Sequence, residues 1–184
     1  MIINGHRIKS QPVVKLLGIH INNELRWKEQ AAAALGKGQD WLIQFGRLVK
    51  VSKGASTRNI RQLYIAIALP QMLYGADIFL TPTQHNPGAT LKKDNRAIIT
   101  KLRSVQRRAA IMITGAMVTT AGDVLDTHAN LLPIHLLIDK NLHRAALRFA
   151  TLPTTHPLHG AVKNAVRRHM KRHPTPLHYL MNKM

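Results

Sequence analysis

The chain contains no cysteine, which excludes a disulfide framework, a thiolate nucleophile and any zinc site built on sulfur. Aromatic residues make up only 4 % of it. A stacking platform for single-stranded nucleic acid needs aromatic faces, so none is expected. Acids are scarce as well: Glu24, Glu29, Asp40, Asp77, Asp94, Asp123, Asp126 and Asp139 are all 8 of them in 184 residues. Nuclease and phosphoryl-transfer centres need clustered carboxylates to hold their metal ions, and no two of these are adjacent. Asp123 and Asp126 stand one helical turn apart, and a helix N-terminus, which favours acids, explains them more simply than a metal site. A Gly-rich phosphate loop is absent, as are long apolar runs. The longest, Ile65 to Leu69 and Ala109 to Ile113, fall far short of the about 20 residues that span a bilayer. Met1 to Ser10 has no apolar stretch of signal-peptide length. The expectation is no membrane partner and a nuclear or cytoplasmic location.

What the chain has is positive charge. Lys and Arg total 27 against the 8 acids, for a net +19 with histidines neutral. The 45 % hydrophobic share suits a folded domain rather than a disordered basic tail. Such a charge favours a polyanionic partner, nucleic acid first and an anionic membrane surface second. The 11 histidines include two pairs at helical spacing, His156/His159 and His169/His173. Neither pair has an acid beside it or the HExxH pattern, so exposed histidines on a basic helix are the simpler reading than zinc ligands. Nothing singles out Ser10, Ser52, Ser56 or Ser104 as an activated nucleophile. No cofactor and no small-molecule substrate is expected.

The hydropathy pattern predicts a mainly α fold, a helical bundle preceded by a small N-terminal antiparallel β element. It divides the chain into a β element at 1–26, a helical bundle at 27–150, and a basic helix with tail at 151–184. Asn4-Gly5 suits a type I′ hairpin turn between Ile2-Ile3 and Arg7-Ile8. The run Val13, Val14, Leu16, Leu17, Gly18, Ile19, Ile21 is β-rich and ends at Asn22-Asn23. From Trp27 the period becomes helical. Ala31, Ala34, Leu35, Trp41, Leu42, Phe45, Leu48 and Val49 share a face, and Gly36 and Gly38 are expected to weaken this helix or break it in two. A helix from Thr57 to Tyr74 follows, capped by Ser56 or Thr57, with Ile60, Leu63, Tyr64, Ile67 and Leu73 inward and a kink at Pro70. Thr81 to Thr90 reads as an exposed loop. A third helix covers Leu91 to Thr114 and is closed by Gly115. Its buried stripe is Ile98, Leu102, Val105, Ala109 and Ile113. Thr119 or Thr120 is expected to cap a short helix reaching His128, and Pro133 to open the first turn of a helix reaching Ala150. A basic helix from Leu158 to Arg172 completes the set, and the packing of the Pro174/Pro176 tail stays open.

Most of the surplus charge lies in two of these helices. The third helix carries Lys92, Lys93, Arg96, Lys101, Arg103, Arg107 and Arg108 against Asp94 alone. On a 3.6-residue period Arg96, Arg103 and Arg107 form one row and Lys101 and Arg108 another, both clear of the apolar stripe. The C-terminal helix carries Lys163, Arg167, Arg168, Lys171 and Arg172. Arg47, Lys50, Lys53, Arg58 and Arg61 make a looser group around a turn. A charge run is commonly no more than a solvated face. Three such groups with so few acids favour contact with phosphate backbones, without sequence-specific readout.

Five blocks in order resemble the non-LTR (LINE-type) retrotransposon reverse transcriptases. Val14-Lys15-Leu16-Leu17-Gly18-Ile19-His20-Ile21 with Leu25-Arg26-Trp27-Lys28 is similar to the strand and helix start just after that family's catalytic core. Leu63-Tyr64-x-Ala66 with Leu69-Pro70-x-x-Leu73-Tyr74-Gly75-Ala76 resembles its LYxAxxxPxxLYGAE helix, with Asp77 in place of the usual Glu. Val105-Gln106-Arg107-Arg108-Ala109, Ile113-Thr114-Gly115-Ala116 and Thr119-Thr120 resemble its VQRRxLRxITGAxRTT block. Leu131-Leu132-Pro133-Ile134 and Thr155-His156-Pro157-Leu158 match in order and spacing. The resemblance covers about residues 13 to 160.

The resemblance implies the edge of the palm at Leu16-Leu17-Gly18 and a thumb and connection beyond Trp27, which cradle a template–primer duplex. The family's paired catalytic Asp turn lies upstream and has no counterpart here. Nor do its fingers, or the RNase H domain that often follows. The chain is therefore expected to be a non-catalytic fragment of an RNA-directed DNA polymerase, the Mg²⁺ ions belonging to the full-length enzyme. Expected contacts to an RNA–DNA or DNA duplex are Lys15, Arg26 and Lys28 near the strand end, Arg96, Lys101, Arg103, Arg107 and Arg108 on the long helix, and Arg167 and Arg168 on the C-terminal helix. The motif itself backs only Arg107 and Arg108. Leu17, Ile19, Leu63, Tyr64 and Leu73 are expected in the core, with Trp27, Pro70, Tyr74 and Pro133 also structural. Gly18, Gly75 and Gly115 are expected to serve backbone geometry. A free-standing basic architectural protein and a non-functional translated relic remain as alternatives.

Overall fold

The computed structural model describes residues 2–3, 6–7, 11–49, 54–81, 93–167, 178 and 180. Its architecture is mainly helical with a small antiparallel β element near the N-terminus. Strands β1 (Ile2–Ile3) and β2 (His6–Arg7) pair antiparallel, Ile3 opposite His6. The Asn4-Gly5 turn expected between them lies outside the described residues. Strands β3 (Val13–Leu16) and β4 (Ile19–Asn22) form a second hairpin, Leu16 opposite Ile19.

The β-rich run thus folds back on itself as an antiparallel hairpin, as expected. Its turn is Leu17-Gly18, with φ +47° and +83°, as a two-residue turn with both central residues left-handed requires. This corrects the expectation for Leu17. It sits at the hairpin tip, 83 % exposed, not in the core.

Helix α1 (Lys28–Gly46) runs unbroken through Gly36 and Gly38. The sequence expectation of a break fails because Gly38 is a packing position. A Cβ placed there would run into Met72 Sδ and approach Val105 Cγ1 to 3.0 Å. The missing side chain lets α1 lie close to its neighbours, and that contact offsets glycine's poor helix propensity.

Helix α2 (Thr57–Leu63) is capped by Ser56, whose Oγ accepts the Asn59 N–H at 3.3 Å. It continues through a π turn at Tyr64–Ala68 into α3 (Leu69–Met72). The irregularity expected at Pro70 therefore appears as a widened turn just before it. Its purpose shows in the burial. Ile60, Tyr64, Ala68 and Met72 recur every fourth residue and are all buried. A regular helix has 3.6 residues per turn and would rotate such a row off the core; the π turn keeps it facing inward. Ile67, expected inward, is displaced to the surface and is 38 % exposed.

A short α4 (Ala76–Phe79) precedes the central helix α5 (Lys93–Thr114). Leu102, Val105, Ala109, Ala110 and Ile113 of α5 are buried, and α5 packs against α1, α2, α6 (Gly122–His128) and α7 (Ile134–Ala150). Gly115 ends α5 at φ +68°. The residue that opens α6 is Ala121, without a side-chain cap, so neither Thr119 nor Thr120 plays the expected part. Pro133 stands immediately before α7 rather than in its first turn. Ile134, Ile138, Leu142, Ala145 and Ala146 form the buried side of α7. Helix α8 (His159–Arg167) rests on α7, and Leu180 reaches the same core.

Candidate nucleic-acid interface

Among the described residues, the strongest concentration of exposed cations is on α5. The helix docks through its Leu102/Val105/Ala109 face, which leaves Arg96, Lys101, Arg103 and Arg108 exposed and Arg107 half-buried. Burial of one side thus fixes the orientation of the other. Arg107 is anchored: its Nη2 donates to the Val118 carbonyl at 2.7 Å. Arg103 and Arg107, four residues apart, both lean over Gly122 at the start of α6. A Cβ at Gly122 would stand 3.5 Å from Arg103 Nη2 and 3.7 Å from Arg107 Nη1. Together with Thr100, Ser104 and Asp126 they line a cleft of about 250 Å³.

The other expected contacts are more dispersed. Lys15 is exposed on β3, opposite His20 on β4. Arg26 is exposed and paired with Glu24 at 2.9 Å, which partly spends its charge. Lys28 is exposed at the start of α1. The side chain of Arg167, and Arg168, lie outside the described residues, as do Lys50, Lys53, Lys92 and the Lys93 side chain. Arg47 and Arg58 are exposed. Arg61 is not available for a ligand. Its Nε and Nη2 donate to the Ala129 and Asn130 carbonyls at 2.6–3.1 Å, holding the end of α6 against α2.

Four of the five blocks meet in two pairs. The Tyr74 hydroxyl donates to the Leu17 carbonyl at 2.8 Å, and Tyr74 Cε1 lies 3.4 Å from where a Gly18 side chain would begin. Gly75, at φ +70°, holds a left-handed conformation that favours glycine, and with Ile19 Cδ1 3.0 Å from its Cβ position an added side chain would also make Ile19 shift. Gln30 of α1 completes the junction: its Oε1 accepts the His20 N–H at 2.9 Å. Buried Gln106 of α5 donates to Asp126 Oδ1 at 2.9 Å and to the Leu132 carbonyl at 3.1 Å. Trp27 is half-buried against the core, and Pro70 is exposed.

No protein-family model, curated protein or solved structure matches the chain. Among the described residues, no helix is long and apolar enough to cross a membrane. Nor is any group of three or more His, Asp or Glu side chains placed to hold a metal ion.

Tyr64 is fully buried between α1 and the later helices, its ring edge-on to Trp41 at 5.1 Å. Its hydroxyl has no hydrogen-bond partner among the described residues. Burial, and secondarily the negative charge of Asp126, push its pKa well above the ordinary tyrosine value. Removing an unsatisfied buried hydroxyl is favourable, so Tyr64→Phe is expected to stabilise the protein by about 1 kcal/mol in urea unfolding. The raised pKa adds a pH signature. Above a pH of about 10 the unfolded chain ionises this phenol while the folded one keeps it neutral, so wild-type stability falls as pH rises. The gap between variant and wild type should therefore widen above that pH; a gap that is absent or that shrinks would show Tyr64 to be satisfied and solvated.

Sequence reasoning missed Gln106, Gly122 and the fixed role of Arg61. Gln106 had a signal, since it lies one turn from both Leu102 and Ala110, a polar residue inside a buried face. Gly122 and Arg61 had none, because their significance depends on residues distant in sequence.

Proposed function

We propose that this chain is a thumb-and-connection element of a LINE-type reverse transcriptase that grips a template–primer duplex through α5 and lacks the polymerase's own chemistry. The observation that carries the reading is the pairing of the resembling blocks. The Leu17-Gly18 turn is seated on Tyr74-Gly75, and the Val105–Ala109 block is tied through Gln106 to Leu132. In four of the five blocks, residues that match a family pattern in order hold one another in place. The exposed face of α5 supports the duplex part of the reading, since Arg96, Lys101, Arg103 and Arg108 oppose no carboxylate within ion-pair distance among the described residues.

Fluorescence anisotropy with the full chain and a labelled RNA–DNA hybrid of about 20 bp tests the grip. If about four phosphates are neutralised, affinity should fall roughly 100-fold between about 50 and 200 mM salt. Affinity that barely changes over that range sinks the phosphate-contact reading. Magnesium-dependent primer extension by the same preparation would overturn the non-catalytic part. Equal binding to every duplex, with no preference for a recessed primer end, would point instead to a free-standing architectural protein.

A further inference from the structure

We infer that Arg103 and Arg107 form a two-guanidinium clamp over Gly122 that holds a single phosphodiester of a nucleic-acid backbone. The clamp rests on the duplex-gripping reading and sharpens it, since it separates two cations that share one phosphate from neighbours that each meet their own.

The geometry points to one shared ligand. The two arginines stand one turn apart on α5, and both guanidiniums reach the same glycine of another helix. The space they enclose is a cleft of about 250 Å³, enough for a phosphate group with some of its water. Arg103 makes no hydrogen bond or ion pair among the described residues, so its donors are unspent. Arg107 is held in place by the Val118 carbonyl through Nη2, which leaves Nη1 and Nε directed elsewhere. The hydroxyls of the cleft do not compete as donors: Thr100 Oγ1 donates to the Arg96 carbonyl and Ser104 Oγ to the Lys101 carbonyl. The donors of the cleft's side chains are therefore guanidinium N–H groups, whose planar fork matches phosphate oxygens.

Asp126 sets the charge of the ligand. It lines the same cleft, and its Oδ1 accepts from Gln106. Two guanidiniums and one carboxylate leave one net positive charge. A phosphodiester carries one negative charge and balances it. A terminal phosphate or a nucleoside triphosphate would press additional negative charge against Asp126 and is disfavoured.

A double-mutant cycle on hybrid binding is the test. Arg103→Ala leaves no protein partner stranded, and Arg107→Gln removes the charge while keeping a donor for Val118, so thermal melts of both should match wild type. Each single variant is expected to weaken hybrid binding roughly 5- to 20-fold at about 100 mM salt. The double variant should be far less impaired than the product of the two, and its salt slope should fall by about 0.9, one phosphate's worth. Arg103→Ala combined with Arg108→Ala, on the other row of α5, should multiply and lower the slope by about twice that. Multiplicative losses and a two-phosphate slope for Arg103/Arg107, or no loss at all in a chain that binds the hybrid, overturn the clamp.

If the chain does not bind the hybrid, the duplex reading fails on its own, and a second measurement decides the clamp. In an NMR titration with dimethyl phosphate, the Arg103 and Arg107 Nε–H signals should shift together and saturate while Arg96 stays still. Arg103→Ala should abolish the Arg107 shift. Independent or absent shifts overturn the clamp.

Discussion

Replacing Arg96, Lys101, Arg103 and Arg108 together with glutamate is expected to weaken RNA–DNA hybrid binding by roughly 10³-fold at near-physiological salt. These four cations are exposed and lie on the side of α5 turned away from its buried stripe. Each one lost forgoes a phosphate contact with its counterion release, and each glutamate adds repulsion. The fold should tolerate the change. Exposed charges contribute little to stability, and a chain at +19 gains from reduced self-repulsion. Thermal unfolding of the variant should therefore be unchanged or slightly raised. The control is a three-residue charge reversal elsewhere: Lys140, Arg144 and Arg148 are exposed on α7, and their reversal should cost far less per charge, through long-range attraction alone. If both sets weaken binding equally per charge, net charge rather than the α5 face drives association, and the interface placed on α5 is wrong.

The contrast between those two helices marks how far the sequence could be read. Periodicity located α5 and its two cationic rows because a helix needs only its own pattern to decide which side is buried. Ser56 as a cap and Gly115 as a stop were legible for the same reason, each being a local property of a few residues. Leu17 was misread because a leucine in a β-rich run signals a buried strand. Its true environment follows from the left-handed turn it forms with Gly18, which Tyr74 steadies from 57 positions away. Gly38 misled in the opposite direction. Helix propensity scores it as a break, whereas Met72 and Val105 make it the place where α1 comes close. Arg61 looked like one more cation in a basic group, but the carbonyls that claim it end a helix far along the chain. Local chemistry was readable and pairings across the fold were not, so the cationic face emerged from the sequence while the Arg103/Arg107 cleft required Gly122 to be in place.

That cleft depends on a residue that touches no ligand. Gln106 is 2 % exposed and joins α5 to α6 through Asp126 and to the turn before α7 through the Leu132 carbonyl. Gln106→Ala is expected to destabilise the protein by about 3–5 kcal/mol, combining a lost charge-assisted hydrogen bond, a stranded carbonyl and a cavity beside Leu102 and Ala110. Gln106→Met keeps most of the volume and should recover the cavity part, leaving a loss of about 2 kcal/mol from the polar groups alone. The Gln106 Oε1 atom itself has no partner among the described residues, so the polar part of the loss is assigned to its amide N–H groups. Urea unfolding of both variants measures the two parts separately. A loss below about 1 kcal/mol for Gln106→Ala would show that α6 is held without this amide, by Leu125, its buried core residue, and by Arg61. Under the expected outcome a further consequence follows for binding. Gln106→Met, still folded, frees Asp126 Oδ1 from its donor, and the carboxylate then offers its full charge to the two guanidiniums across the cleft. Hybrid affinity should drop several-fold while the affinity lost on Arg96→Ala stays the same, because Arg96 does not line that cleft.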